Sequence, residues 1–75
     1  MTIEKIREAI KAQPFKPFFV NLADGRSFAV QHPEFIATTG QGRTIVVGDP
    51  HSDGIELIDL LLVTSLTFAG DGQAA

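Results

Sequence analysis

At 75 residues the chain makes one domain, and a domain of this size buries only about 60 % of its unfolded surface, so its stability is marginal unless something is added. Composition is that of an ordinary globular core, 44 % hydrophobic and 20 % charged, and with no cysteine there is neither a disulfide framework nor a thiolate metal site. The net charge of −3 works against partners that are themselves polyanions, although all six Lys and Arg lie at or before Arg43 while five of the nine acids lie from Asp49 onward.

Met1-Thr2-Ile3-Glu4-Lys5 reads as a helix start and lacks the basic, apolar and small-residue regions of a signal peptide. No apolar run approaches membrane-spanning length. A cytoplasmic location with no membrane partner is the expectation. Thr2 can cap a helix to about Ala12, with Glu4 near the positive end of the dipole and Ile3, Ile6 and Ile10 on one stripe. Pro14 disfavours helical geometry at Gln13 and ends it.

The stretch from Pro14 to Phe35 holds five of the six phenylalanines and three of the four prolines, and its first part reads as a hairpin. A two-residue Asp24-Gly25 turn would divide the apolar side chains between both faces. A three-residue loop, Ala23-Asp24-Gly25 with Gly25 left-handed, sets Leu22 opposite Arg26, Val20 opposite Phe28 and Phe18 opposite Val30, gathering Phe18, Val20, Leu22, Phe28 and Val30 on one face. The second register is the expected one. Phe19 then falls outside.

Pro33 removes a ladder donor and bends the chain after Val30. A second hairpin runs from Phe35 to Thr39, turns at Gly40-Gln41-Gly42 and returns through Thr44 to Val47. After a polar loop from Gly48 to Gly54, Ile55 to Ile58 reads as a strand and Asp59-Leu60-Leu61 as a short helical turn. The last strand spans Leu62 to Phe68, with Leu62, Thr64, Leu66 and Phe68 expected inside and Val63, Ser65 and Thr67 outside. Residues 1–69 form the expected domain and 70–75 a flexible tail.

This order predicts a mainly β fold, an N-terminal helix followed by a five-stranded antiparallel small barrel with a bend in its second strand. It resembles the Sm-like and SH3-like barrels in topology and in the Val20-x-Leu22-x-Asp24-Gly25-Arg26 segment. In detail the chain resembles a family of short, functionally uncharacterised bacterial proteins that share a leading helix, Pro14-Phe15-x-Pro17-Phe18, Asp24-Gly25-Arg26, His32-Pro33-Glu34-Phe35 and Ile58-Asp59-Leu60. That resemblance implies no activity.

Three groups of residues could carry chemistry. His32 and Glu34 flank Pro33 at a rigid corner, where a carboxylate could orient the imidazole as proton acceptor or ligand. The alternative is that both solvate the bend. Asp49-Pro50-His51-Ser52-Asp53-Gly54 has the oxygen spacing of a calcium loop, but its twelfth position is Leu60 where a glutamate is needed, so a solvated loop is expected and no metal or cofactor is assigned. Lys16, Arg26 and Arg43 could join Phe15 or Phe19 as a small stacking and phosphate-binding patch. The plain reading of those cations is that they solvate strand edges. No phosphate loop, nucleophile elbow or zinc-protease motif occurs, and Ser27, Ser52 and Ser65 have no histidine at a recognisable spacing.

The contact residues to follow are therefore Lys16, Phe19, Arg26, His32 and Arg43. The expected function is a non-catalytic interaction or oligomerisation module, a homo-oligomer with a dimer favoured or the binder of an unknown protein partner. Phe19 and Val63 would be left apolar on its outside, and the last strand would offer an edge for pairing. An Sm-like RNA-binding protein is the alternative, less favoured because phosphate contacts need concentrated cations.

Overall fold

The computed structural model describes residues 1–68; the tail expected over 70–75 lies outside the described residues. They form one helix, α1 (Ile3–Lys11), and six strands: β1 (Phe18–Leu22), β2 (Ser27–Val30), β3 (Ile36–Thr38), β4 (Thr44–Gly48), β5 (Ile55–Asp59) and β6 (Val63–Phe68). Two 3₁₀ turns, Pro33–Phe35 and Leu60–Leu62, precede β3 and β6.

In α1 the Thr2 side chain accepts a hydrogen bond from the Lys5 N–H at 3.4 Å, Glu4 lies in the first turn and Lys11 in the last. The inward face carries buried Ile6 and Ala9, with Ile3 and Ile10 packed beside them. The first hairpin has the expected register. Phe18 pairs with Val30 and Val20 with Phe28, the Leu22 N–H donates to the Arg26 carbonyl at 2.9 Å, and the Gly25 N–H donates to the Leu22 carbonyl at 3.0 Å. Gly25 sits at φ 95°, where an L side chain would be strained.

The five-stranded barrel is not what forms. Among the described residues the strands make two three-stranded antiparallel sheets, ordered β2-β1-β6 and β3-β4-β5, and neither closes on itself. The physical reason lies at Pro33. Instead of bending one long strand, it starts a 3₁₀ turn, in which the Phe35 N–H donates to the His32 carbonyl at 3.1 Å, and so divides β2 from β3. The Leu60–Leu62 turn likewise divides β5 from β6. At both places the chain leaves one sheet and enters the other.

The last strand also departs from strict alternation. Asn21 pairs with Ser65 but Leu22 pairs with Val63, so Thr64 is an extra residue, a β-bulge that reverses the phase of the strand. The Thr64 hydroxyl donates to the Asn21 carbonyl at 3.2 Å and holds the bulge. Hence Val63, expected outside, is buried in the core, whereas Leu62, expected inside, is exposed. Leu66 packs against the core as expected, and Phe68 keeps its ring 5.5 Å from that of Phe18 while half its surface remains open at the sheet corner.

The core lies between the sheets. Phe18, Val20, Leu22, Val30 and Val63 face Ile36, Ile45, Val47 and Ile58, with Ile6 and Ala9 of α1 in the same cluster. Each fully buried aliphatic or aromatic side chain of this kind contributes about 1.5–3 kcal/mol relative to an exposed one. The helix thus completes the common core and does not cover the outer face on which Phe19 lies.

Candidate interaction face

The two sheets differ in what their outer faces present. On β2-β1-β6, the Asn21 side-chain amide donates to the hydroxyls of Ser65 at 3.0 Å and Thr67 at 2.8 Å, and its carbonyl oxygen accepts from the Ser27 hydroxyl at 2.7 Å. One asparagine on the central strand therefore ties all three strands together. Beside it, Phe19 is 43 % exposed between Ala29 and Thr67. This face is polar and its hydrogen-bonding groups serve one another.

The outer face of β3-β4-β5 is mainly apolar, with the Thr44–Asp59 pair as its polar end. Ala37 pairs with Val46 and Val46 with Leu57, so the three form one row across the sheet, and Ile55 follows on the same side opposite Gly48. Leu57 is 68 % exposed and Ile55 62 %, and just beyond the strand Leu61 is 82 % exposed. Leaving three large aliphatic side chains this open forgoes several kilocalories per mole of burial, which a partner surface could recover.

The backbone at the same place is unpaired. The Asp49 N–H donates to the Gly54 carbonyl at 3.1 Å and the Leu60 N–H to the Arg43 carbonyl at 2.9 Å, which sets the alternation of the β4–β5 ladder. Glu56 and Ile58 then direct their peptide groups toward β4, and Ile55, Leu57 and Asp59 direct theirs outward. Because β5 is an edge strand, these groups meet no ladder partner among the described residues.

The cations expected to converge do not. Arg26 lies at the turn end of the first hairpin, where its Nε contacts Asp24 Oδ2 at 2.9 Å and a terminal nitrogen reaches Glu56 Oε1 at 3.9 Å. Its guanidinium stands 5.6 Å from the ring centre of Phe28, not against Phe19. Lys16 precedes the opposite end of β1, and Arg43 precedes β4 in the other sheet; both are exposed. A patch of Lys16, Arg26 and Arg43 around Phe15 or Phe19 is therefore not assembled, and Phe15 instead packs against Phe18 with ring centres 5.9 Å apart.

His32 and Glu34 are both exposed, but the 3₁₀ turn keeps them from acting as a pair. With three residues per turn, residue i lies over i+3, and the His32 ring meets Phe35 at 5.9 Å. Asp49 is likewise engaged by its own loop. Its carboxylate accepts from the His51 N–H at 2.8 Å and from the Ser52 hydroxyl at 3.2 Å, and the first of these bonds holds its pKa below the ordinary value. Among the described residues no three His, Asp or Glu side chains gather as a metal site, and no helix is long and apolar enough to cross a membrane.

Sequence reasoning missed Ile55, Leu57 and Leu61, and it treated Asn21 as a variable position. A signal for the first two was present: Ile55 and Leu57 alternate in one phase while Ile58 occupies the other, so a strand there has apolar side chains on both faces. Compared with known protein families, curated proteins and solved structures, the chain matches none.

Proposed function

We propose that the protein is a non-catalytic interaction module that self-associates, using the outer face and free edge of β3-β4-β5 as its contact surface. The observation that carries this reading is the coincidence of Leu57 and Ile55, both more exposed than buried, with unpaired peptide groups on one edge strand. A small domain without disulfides has few means of adding stability beyond its own core, and oligomerisation is one of them. The dispersal of Lys16, Arg26 and Arg43, with Arg26 engaged by Asp24 and Glu56, weighs against a phosphate-binding surface.

The seam differs from the last strand expected from the sequence. A groove beside β6 is lined by Lys5, Glu8 and Ala9 of α1, so the helix flanks that edge, whereas β5 carries no such flank of helix. Sedimentation equilibrium or light scattering from about 10 to 200 μM tests the reading, a range suited to an interface below the standard size. A mass rising toward that of two chains is the expected result. A monomer mass throughout would overturn it.

A further inference from the structure

We infer that the partner on this face is a second copy of the chain, joined through β5 in one register, antiparallel and centred on Leu57. The inference rests on the self-association reading and goes beyond it by naming the seam and its symmetry.

Four strand edges are available, and they are unequal. β3 has only three residues, β2 has four, and β6 is flanked by α1; a cleft of about 400 Å³ lies between β2 and the loop of Asp49, Pro50 and His51 with Ile55 and Glu56, and so borders β2 and the start of β5 alike. β5 has five residues, with Ile55 and Leu57 on the outer face, Ile58 on the inner one, and no proline. Its outward peptide groups belong to Ile55, Leu57 and Asp59, a set symmetric about Leu57.

A two-fold axis through Leu57 therefore sets Leu57 opposite Leu57 of the second copy, and Ile55 opposite Asp59, as hydrogen-bonded pairs. Every outward N–H and C=O of the strand gains a partner. A shift by one residue would set these groups against peptides already committed to β4. A shift by two keeps the ladder but no longer pairs all three outward residues with one another, and the shift that centres on Glu56 opposes two carboxylates, so the register on Leu57 is the favoured one. Across the axis the row Ala37, Val46, Leu57 continues into Leu57, Val46 and Ala37 of the second copy, an unbroken apolar row over a six-stranded sheet.

Charge permits this register. Glu56 comes opposite Ile58 and Asp59 opposite Ile55, so no two acids are directly opposed, and Arg26 of the same chain accompanies Glu56. The contact is small. Standard interfaces bury about 800 Å² per partner, whereas Ile55 and Leu57 offer roughly 100 Å² each, so the dimer is expected to be weak and to form at tens of micromolar or above.

Amide hydrogen exchange on the unmodified protein at about 10 and 500 μM reads the seam directly, at concentrations spanning a weak interface. Protection of the Ile55, Leu57 and Asp59 amides should rise at least about fivefold with concentration, while Glu56 and Ile58, already bonded to β4, change little. A single-cysteine comparison supplies a second measurement. Since the chain has no cysteine, Leu57→Cys and Phe19→Cys each introduce one exposed thiol, and under mild oxidation Leu57→Cys should give linked dimer at least about tenfold faster. Association with no concentration-dependent protection in β5 and equal cross-linking rates would overturn the seam while leaving self-association standing. A monomer mass at every concentration would remove both.

Discussion

The Cβ that Gly42 lacks would fall 3.2 Å from Ile3 Cγ1, so the turn between β3 and β4 and the first turn of α1 are in contact through the absence of a side chain. Gly42 is also at φ 73°, a conformation that side chains rarely adopt. Gly42→Ala therefore meets strain and crowding together, and should lower the unfolding free energy by about 1–3 kcal/mol. Urea unfolding measures this. A change below about 0.5 kcal/mol would show that the helix and turn can separate without loss.

Leu57 and Ile58 are adjacent in sequence and opposite in role. Ile58→Ala opens space in the core between the sheets and should cost about 2–5 kcal/mol. Leu57→Asp touches an exposed position and should alter the stability of the separate chain by no more than about 0.5 kcal/mol while abolishing self-association. Thermal melts at low concentration and masses at high concentration separate the two effects; an equally destabilised Leu57→Asp would contradict the face assignment.

The Asp24 carboxyl is held below its ordinary value of 3.8, first by the hydrogen bond from the Arg26 N–H and then by the Arg26 side chain. Its contribution to stability is present above the unfolded value and is lost as pH falls through the lower folded value. Asp24→Asn keeps an acceptor for the Arg26 N–H but loses the charge. It should melt slightly below the native protein at pH 7, with the gap closing as pH falls below 3.8. A gap that widens in acid would reverse the sign of this account.

Each chain carries a net charge of −3, so two copies repel one another over their whole surfaces. Raising salt from about 50 to 500 mM should therefore strengthen self-association, because the Debye length shrinks while apolar burial persists. Light scattering at fixed protein concentration follows it. An association that weakens steeply with salt would place ion pairs, not Leu57 and Ile55, at the seam.

Binding to a short single-stranded RNA at near-physiological salt should be weaker than about 100 μM, the weak end of non-specific affinity. The cations are dispersed, and Arg26 already contacts two carboxylates. Fluorescence anisotropy would refute this with a micromolar affinity that falls steeply with salt.

Local patterns in the chain carried much of the architecture. Thr2 and Pro14 bounded the helix, Asp24-Gly25-Arg26 with its flanking alternation selected the three-residue loop, and the apolar phase of Phe18, Val20 and Val30 identified a buried face. These are contacts between near neighbours, governed by backbone geometry and period, and a linear sequence displays them. Tertiary structure decided the rest. The bulge at Thr64 arises only when β6 pairs with β1 across more than forty residues, and that pairing buries Val63 and exposes Leu62. Pro33 marks a bend in sequence, but whether the strand continues through it or changes sheet depends on which ladder each half can join. Likewise Ile55 to Ile58 reads in sequence only as a strand, and the packing of the two sheets decides that Ile58 faces the core while Ile55 and Leu57 face outward on an edge strand.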